Sequence, residues 1–336
     1  MNIKDVARKI GVSPYTVSCA IRNRGELSAE TRQRVLEQVR ELGYIPNING
    51  QRLVQGRSRL VALDDRRPGL FSDIFAMQLA RGLQYALQKR GYSLLLNTAD
   101  EHGEANTQLK QWVRSRTVDG VVLVGHVSYD SLVREIATPR APCIVIDTLI
   151  EGVPNVASVM KGRTGERQVA RLFVEQGHRR IGFLDEPQIQ QKPNDVLEAF
   201  AGELQSLGVP LEDRYLLSVP NDPASGAEGM RALMQQNPRP TAVFARTDAM
   251  ALGALREARS LGLRVPEDVS LAGHDDLPLA EFTEPPLTTV RIDCGMAGEV
   301  VAEALFHLLE EPGAMQTWWF ETSLVVRQSV GPAPRS

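Results

Sequence analysis

Acidic side chains close two of the apolar runs that resemble β-strands. Asp147 follows the run CIVI, and Asp275 and Asp276 end the run VSLAGHDD. Ligand-binding groups gather at the carboxyl ends of parallel strands, so Asp147 and Asp275 are predicted to lie in a binding crevice, whereas Asp276 is expected to stabilise its loop. His274 beside them adds a group used in metal binding and acid–base catalysis. Because no second histidine or nucleophile accompanies it, we expect ligand binding, with no enzymatic activity, no metal site and no cofactor.

Polar side chains near the N-terminus form a pattern of a different kind. Asn2 precedes an apolar helical face, with Asp5 three residues on as in a capping box, and Gly11 suits a sharp turn. Ser13 and Pro14 are the residue types of a helix start. Two short helices joined by a tight glycine turn predict a helix-turn-helix, whose second helix enters the DNA major groove. A plain helical hairpin is the alternative.

The region after this motif strengthens the DNA-binding interpretation. A third helix is predicted from Ala29 to Leu42, with Ser28 before it and Gly43 as its stop. Residues 1–59 hold eleven Lys and Arg against five Asp and Glu, a net charge of +6, so that the remainder carries −9. A basic head on an acidic body suits a protein whose head alone contacts the phosphate backbone.

Composition argues against several classes of protein. Three cysteines, Cys19, Cys143 and Cys294, lie far apart and in no metal-ligand spacing, which argues for a reducing cytoplasm and against a disulfide framework or a zinc site. The N-terminus has no apolar signal core, and no run approaches the ~18 apolar residues that indicate a membrane helix. We therefore expect a cytoplasmic protein without membrane contact.

From Leu60 the chain changes to short apolar runs that alternate with helical segments. Near-continuous apolar strands separated by amphipathic helices predict parallel sheets covered on both faces. Because the chain is long for a single core, the runs suggest two α/β lobes. The runs are 60–65, 93–99, 120–125, 143–148, 180–185, 216–220, 242–247, 269–276 and 288–293.

Seven segments taken together resemble one family. DVARKIGVSPYTVS and SAETRQRVLEQVRELGYIPN closely resemble the DNA-binding headpiece of the LacI/GalR family of bacterial transcription regulators. The resemblance continues, in the family's order and spacing, through VDGVVLVG, EQGHRRIGFL, PTAVFARTDAMALGAL, GLRVPEDVSLAGHDD and PPLTTV. It covers nearly the whole chain. It implies an α/β fold in which an all-α helix-turn-helix headpiece precedes a two-lobed, periplasmic-binding-protein-like body of parallel sheets.

The resemblance also implies domain boundaries and a ligand crevice between the lobes, whose closure is a hinge motion. The expected boundaries are 1–46 for the headpiece, 47–58 for a hinge helix or linker, 59–336 for an effector-binding and dimerisation body, about 59–158 and 291–317 for its first lobe, and about 159–290 and 318–331 for its second lobe.

In this family the second helix reads DNA and the hinge adds a wedge. By resemblance, Pro14, Tyr15 and Cys19 occupy positions that vary with operator sequence, and Cys19 replaces a common Arg that could contact guanine. Leu53 stands at the family's minor-groove wedge, but Gly50 disfavours a hinge helix, so a plain flexible linker stays open as the alternative. The predicted DNA-binding set is Ser13, Pro14, Tyr15, Thr16, Ser18, Cys19, Thr31, Asn47 and Leu53, of which Thr16, Ser18 and Thr31 are expected at phosphates.

The effector pocket that the resemblance implies is incomplete. The family's sugar-clamping Arg falls on Val196, and the Asn that commonly precedes the aspartate of ARTD is Thr247. Valine lacks the donors of arginine. The effector could therefore be a carbohydrate held by Asp147, Thr247 and Asp275, another metabolite, or absent.

Aromatic and charged positions depart from the family as well. Lys161 and Gly162 replace a typical Asp-Asn pair, and His274 stands where Phe or Tyr is usual. Two phenylalanines, Phe71 and Phe75, stand where the family places aromatics over the ligand, with core packing as the alternative use. The predicted effector-binding set is Phe71, Phe75, Asp147, Val196, Thr247 and Asp275.

The resemblance implies a sequence-specific transcriptional regulator, with a repressor as the expected type. One headpiece reads a short half-site, so we expect a homodimer on a palindromic operator of double-stranded DNA. A small-molecule effector in the inter-lobe cleft, a sugar or related metabolite, would tune DNA affinity. The alternative is the same regulator with a divergent pocket, which responds to a non-sugar metabolite or to no small molecule.

Overall fold

The computed structural model of the chain describes residues 1–22, 25–44, 56–65, 74–98, 105–124, 130–187 and 195–334. The chain divides into two compact units, residues 1–59 and 60–336. Most of the segment expected to be a hinge helix or linker, 47–58, lies outside the described residues.

The helices are α1 (Ile3–Ile10), α2 (Pro14–Arg22), α3 (Ala29–Glu41), α4 (Ile74–Gln88), α5 (Ala105–Arg114), α6 (Asp130–Ile136), α7 (Thr164–Glu175), α8 (Asp195–Ser206), α9 (Pro223–Met234), α10 (Asp248–Ser260) and α11 (Cys294–Glu310). The strands are β1 (Leu60–Asp65), β2 (Ser93–Thr98), β3 (Gly120–Val124), β4 (Cys143–Ile146), β5 (Val156–Lys161), β6 (Ile181–Asp185), β7 (Leu216–Ser218), β8 (Ala242–Ala245), β9 (Ser270–Asp275), β10 (Thr288–Ile292), β11 (Met315–Phe320) and β12 (Thr322–Val325).

The first unit is a bundle of α1, α2 and α3. Each helix buries apolar side chains at helical spacing, and Val6, Val17 and Val35 meet at the centre of a small core. Partly buried residues such as Leu36 and Leu42 close the sides of this core. The predicted helical segments are therefore confirmed, with α3 ending one residue before the predicted Leu42.

The second unit contains two six-stranded sheets, ordered β11-β5-β4-β3-β1-β2 and β12-β10-β9-β8-β6-β7. The strand pairs are parallel except β10 with β12, which is antiparallel. This confirms the α/β class with two lobes. Three strands, β5, β11 and β12, were not among the predicted runs. β11 and β12 are edge strands with largely exposed or half-buried side chains, so they lack a continuous apolar signal.

Each sheet is covered on both faces, which explains the near-continuous apolar strands. Side chains of α4 and α11 pack on one face of the first sheet, and those of α5 and α6 pack on the other. In the second sheet, α9 and α10 cover one face and α7 and α8 cover the other. The three cysteines are buried free thiols.

Glycines allow the backbones of α4 and α11 to come into direct contact. A Cβ on Gly82 would lie 2.0 Å from the carbonyl oxygen of Cys294, and one on Gly298 would lie 2.3 Å from the carbonyl carbon of Gly82. A real side-chain carbon cannot occupy either place, because the obstructing atoms belong to the backbone.

The chain crosses between the two sheets three times. It leaves β5 at Lys161 and begins α7 in the second lobe at Thr164, it leaves β10 and begins α11 of the first lobe at Cys294, and Glu321 alone separates β11 from β12. These crossings lie a few residues from the expected boundaries at 158, 291 and 317.

Candidate functional site

The first helix of the headpiece is fixed at both ends by its sequence. Asn2 Oδ1 accepts hydrogen bonds from the backbone nitrogens of Lys4 and Asp5, at 2.9 and 3.0 Å, while Asp5 Oδ2 accepts from the Asn2 nitrogen at 3.1 Å. Gly11, at φ 73°, then turns the chain. The predicted capping box and glycine turn are therefore present, and they set the direction in which α2 begins.

The second helix presents a polar, exposed N-terminal turn. Ser13 Oγ accepts from the Thr16 nitrogen at 3.0 Å, so this hydroxyl caps α2 ahead of Pro14. Ser13, Pro14 and Tyr15 are exposed, with 74% of Tyr15 accessible, while Thr16 and Ser18 are half-buried. Val17 and Ala20 hold the opposite face in the core. An exposed helix start braced from behind is the arrangement that a recognition helix needs.

Cys19 requires a correction to the predicted DNA-binding set. Only 8% of this residue is exposed, and its Sγ lies 2.9 Å from the point where a Cβ on Gly25 would stand. The thiol also makes a hydrogen bond with the Tyr15 hydroxyl, which raises the pKa of Tyr15 above its usual value. Cys19 therefore packs against Gly25 and supports Tyr15, because the helix turns this position away from the exposed face.

Three further members of the predicted DNA-binding set lie outside α2. Thr31 is half-buried in the first turn of α3, where its Oγ1 accepts from Ser28 Oγ at 2.8 Å. Asn47 and Leu53 lie outside the described residues.

In the second unit, Asp147 stands immediately beyond β4 in a polar setting. Its φ is 56°, in the left-handed region. Arg163 Nη2 donates to Asp147 Oδ1 at 3.1 Å, and Lys161 Nζ lies 3.9 Å from Oδ2. Asp147 thus lies at the carboxyl edge of the first sheet, as predicted, next to Lys161, the last residue of the neighbouring strand β5, and Arg163, two residues beyond it.

Asp275 ends β9 at the corresponding edge of the second sheet, with φ 109°. His274 Nδ1 lies 3.1 Å from Asp275 Oδ1. Nε2 of the same ring lies 3.1 Å from Oε1 of Glu166, a carboxylate in the first turn of α7. The two carboxylates predicted to bind an effector are therefore both present at strand ends, each beside a positively charged or basic side chain.

Glu166 and His274 form a buried pair that sequence reasoning did not find. Glu166 is 0% exposed and His274 2% exposed. Burial raises the pKa of Glu166, but the hydrogen bond from His274 and the charges of His274, Lys161 and Arg163 outweigh it and lower the pKa to about 2. Burial and Lys161 lower the pKa of His274, yet hydrogen bonds to Asp275 and Glu166 leave it raised overall.

Thr247 and Val196 are held by the second lobe in different ways. Thr247 Oγ1 donates to Asn221 Oδ1 at 2.7 Å and accepts from the Met250 nitrogen at 3.3 Å, so it is the N-cap of α10. Val196 is 4% exposed and packs in the apolar cluster with Phe173 and Phe200. Its place in the effector-binding set is therefore corrected, because a valine at the start of α8 gains more from the core than from a polar cleft.

The two predicted aromatic residues are not described at the level of side chains. Phe71 lies outside the described residues, and Phe75 lies in α4 with no side-chain description. Their predicted use over a ligand stays a prediction.

Two other polar residues of the body have structural roles, as was expected for Asp276. Asp276 accepts from Arg291 Nε at 2.6 Å and from Arg327 Nη2 at 2.7 Å, which fixes the loop after β9. His178 is fully buried and bonds to the hydroxyls of Thr241 and Ser270 at 2.9 and 3.0 Å.

Within the part of the chain that the structure describes, no group of three or more His, Cys, Asp or Glu side chains could hold a metal ion. None of the helices described there is both long and apolar enough to span a bilayer.

Comparison with known proteins adds the family. Residues 2–47 match the family described as bacterial regulatory proteins of the lacI family, and residues 170–330 match the periplasmic binding protein-like domain. The HTH-type transcriptional repressor CytR of Escherichia coli (strain K12) is 30% identical over 312 residues, covering 92% of this chain and 89% of CytR.

Solved structures agree over the whole length. A complex of the transcriptional regulator CelR with cellobiose has 31% identity and a TM-score of 0.72, covering 98% of this chain and 99% of CelR. The Lac repressor dimer bound to operator and the anti-inducer ONPF has 24% identity and a TM-score of 0.81, with coverage of 98% and 99%, and supports the fold alone. The chain is a member of the LacI family of bacterial transcriptional regulators.

Proposed function

We propose that this chain is a sequence-specific DNA-binding repressor that binds a palindromic operator as a homodimer. The observation that carries the proposal is the exposed start of α2, where Ser13, Pro14 and Tyr15 project from a helix whose other face is held in a core. The net charge of +6 on residues 1–59 supports contact with the phosphate backbone. The relative CytR is named a transcriptional repressor, which supports the sign of regulation.

The test is selection of bound duplexes from a random DNA pool with the full-length protein at moderate salt. We expect an inverted repeat, because two identical headpieces related by a twofold axis read two half-sites. Failure to enrich any sequence over bulk competitor, with and without candidate ligands, would overturn the proposal.

A matched pair of variants locates the contact. Tyr15→Ala should weaken binding to the selected sequence at least tenfold, because the exposed ring is lost from the recognition surface. Gln205→Ala, an exposed position on α8 of the body, should leave binding unchanged. Equal affinities for the two variants would remove α2 from the interface.

We further propose that a small-molecule effector binds at the strand ends that carry Asp147, Thr247 and Asp275. A carbohydrate is the first candidate, since carboxylates and a hydroxyl accept hydrogen bonds from sugar hydroxyls and the structure of CelR contains cellobiose. A non-sugar ligand, or none, is the second candidate, and the burial of Val196 where the family has a sugar-clamping Arg favours it.

A thermal-shift screen of sugars, nucleosides and other metabolites separates the two candidates. A stabilising sugar whose effect is lost in Asp275→Asn supports the first candidate. Stabilisation by a non-sugar metabolite supports the second candidate, and so does a screen in which no compound stabilises the protein. Either outcome is compatible with a cytoplasmic regulator that has no enzymatic activity, which is the assignment we propose for the whole chain.

A further inference from the structure

A row of alternating charges joins the two carboxylates of the proposed effector site. Arg163 donates to Asp147 at 3.1 Å through Nη2, and its Nη1 lies 3.7 Å from Glu166 Oε1. The same Glu166 oxygen lies 3.1 Å from His274 Nε2, and His274 Nδ1 lies 3.1 Å from Asp275 Oδ1. The row therefore runs from the end of β4 in the first lobe to the end of β9 in the second.

The middle of the row is anchored where the chain crosses between the lobes. Glu166 Oε2 accepts from Thr322 Oγ1 at 2.8 Å, and the Gly165 nitrogen donates to the same hydroxyl at 3.0 Å. Thr322 follows the crossing at Glu321, and Glu166 follows the crossing after Lys161. Glu166 is thus a fixed point of the inter-lobe junction.

The geometry requires His274 to carry a charge. Each ring nitrogen faces a carboxylate oxygen at 3.1 Å. An ionised carboxylate only accepts hydrogen bonds, so both nitrogens must donate, and only the imidazolium has two N–H groups. Glu166 is kept ionised by the Thr322 hydroxyl and the neighbouring Arg163, so it does not supply a proton of its own.

The charges around the ring come from several elements. Glu166 on α7 and Asp275 on β9 favour the imidazolium, whereas Lys161 at the end of β5 opposes it. Asp248 at the start of α10 also interacts with the ring, and Cys294 at the start of α11 faces Asp275 as a protonated thiol, since burial raises its pKa to about 12. Burial of the ring also opposes the imidazolium, but the carboxylates that touch the ring outweigh both burial and the more distant Lys161.

If His274 lost one of its two ring protons, the side chain of Asp275 would move rather than that of Glu166. A neutral imidazole has one N–H, so one of the two carboxylates would face a ring lone pair. Glu166 is fully buried and held by Thr322, whereas the Asp275 side chain is 15% exposed at the cleft. The exposed group is the one that can turn towards solvent.

We propose that His274 is a positioning residue that, as an imidazolium, holds Asp275 against the Glu166 anchor, so that the cleft of this regulator responds to pH. The inference rests on the proposed role of Asp275 in effector binding and on the proposed DNA-binding function. It assigns Glu166 and His274 a joint task in positioning Asp275.

The first test measures the protonation state of His274 in the ¹⁵N-labelled full-length protein. Long-range ¹H–¹⁵N spectra of the imidazoles are recorded from pH 6 to 9. His274→Phe assigns the signal. We expect both His274 nitrogens to be protonated at pH 6.5, since the pKa of His274 is raised above its usual value, and we expect Glu166→Gln to lower the pH at which His274 titrates. His178 is the internal control: burial lowers its pKa, and its partners are hydroxyls and a carbonyl, so it should be neutral. A neutral His274 at pH 6.5 would overturn the inference.

The second test measures the consequence for DNA binding. The affinity of the wild type for its selected operator should change at least threefold more between pH 6.5 and 8.5 than that of Glu166→Ala/His274→Phe, which replaces the charged pair by apolar side chains. An identical pH dependence in the two proteins would overturn the inference. If neither protein binds DNA at any pH, the proposed function fails, and the spectra still decide separately whether His274 is an imidazolium.

Discussion

The Thr247 hydroxyl has two hydrogen bonds before any ligand arrives. It donates its proton to Asn221 and accepts from the first turn of α10, so a ligand can use only a remaining lone pair. Asp147 and Asp275 differ from it, because each carboxylate has two oxygens that together offer several acceptor positions. Among the predicted site residues, the two carboxylates therefore keep the larger capacity for a ligand.

The capping role of Thr247 predicts a cost in stability. Thr247→Ala should lower the free energy of unfolding by about 1 kcal/mol, because an N-cap hydrogen bond is lost. Thr247→Ser retains the hydroxyl and is the matched control. Urea denaturation of the three proteins at pH 7 measures the difference. If Thr247→Ala is as stable as Thr247→Ser, the hydroxyl does not act as a cap.

Replacement of Glu166 should lower the free energy of unfolding much more than Thr247→Ala does. Glu166→Ala leaves a buried imidazolium without one partner, so we expect a loss of about 3–5 kcal/mol in the free energy of unfolding at pH 7. Since the folded pKa of about 2 lies below the usual 4.5, this contribution is present above about pH 4.5 and disappears as the pH falls towards 2.

Denaturation at a series of pH values checks this prediction. The difference in the free energy of unfolding between the wild type and Glu166→Ala should become smaller below pH 4.5. Glu175→Ala, an exposed position at the end of the same helix, should stay near the wild type at every pH. A constant gap across the acid range would show that Glu166 does not contribute as a carboxylate.

The residues that the sequence could locate are those with a local reason for their position. The capping box of Asn2 and Asp5 involves neighbours in the chain. Glu166 and His274, by contrast, are 108 positions apart, so their contact depends on the packing of α7 against β9. Val196 was misplaced because its position was inferred from an arginine, whereas an apolar side chain at the same place turns into the core.

At the level of elements, the apolar pattern predicted most of the strands, including the edge strands β2 and β7, but it missed the interior strand β5 and the edge strands β11 and β12. The central strands of both sheets are continuous buried runs, such as β3 and β8. β11 exposes Met315 and Trp319, and β12 has only four residues. A strand with one exposed face and an unpaired side does not need the pattern by which buried strands are recognised.

The contact between α4 and α11 gives a prediction at this scale. Gly298→Ala should lower the free energy of unfolding by about 1–3 kcal/mol, since the added carbon meets the backbone of Gly82. Gly202→Ala is the matched control: this helical glycine has no atom within 4 Å of an added Cβ, so the change should stabilise the protein by up to about 1 kcal/mol. Thermal denaturation measures the two changes in stability, which should have opposite signs. Similar shifts for both variants would mean that the two helices do not approach this closely.

At the scale of the whole molecule, charge is divided between the two units. Residues 1–59 carry +6, and the remainder carries −9. The acidic body should not bind DNA by itself, and the basic headpiece should bind in a salt-dependent way, because cations released from the phosphates drive association.

The division of charge can be tested with salt and with a truncation. Affinity of the full-length protein for its selected operator should fall about 1,000-fold between 50 and 200 mM salt if each dimer makes six or more phosphate contacts. Residues 60–336, which contain both complete sheets, should show no DNA binding under the same conditions. Binding by this fragment, or an affinity independent of salt, would contradict the assignment of DNA binding to the headpiece.

The three crossings between the sheets lie side by side. Lys161 pairs with Phe320 in the first sheet, and Ile292 pairs with Thr322 in the second. Each connection is only a few residues long, so one lobe cannot slide along the other without breaking these ladders. Swivelling about a single line through the junction is the movement left to the pair. A reporter dye at the far tip of either lobe would therefore be displaced much more than one placed near Gly162.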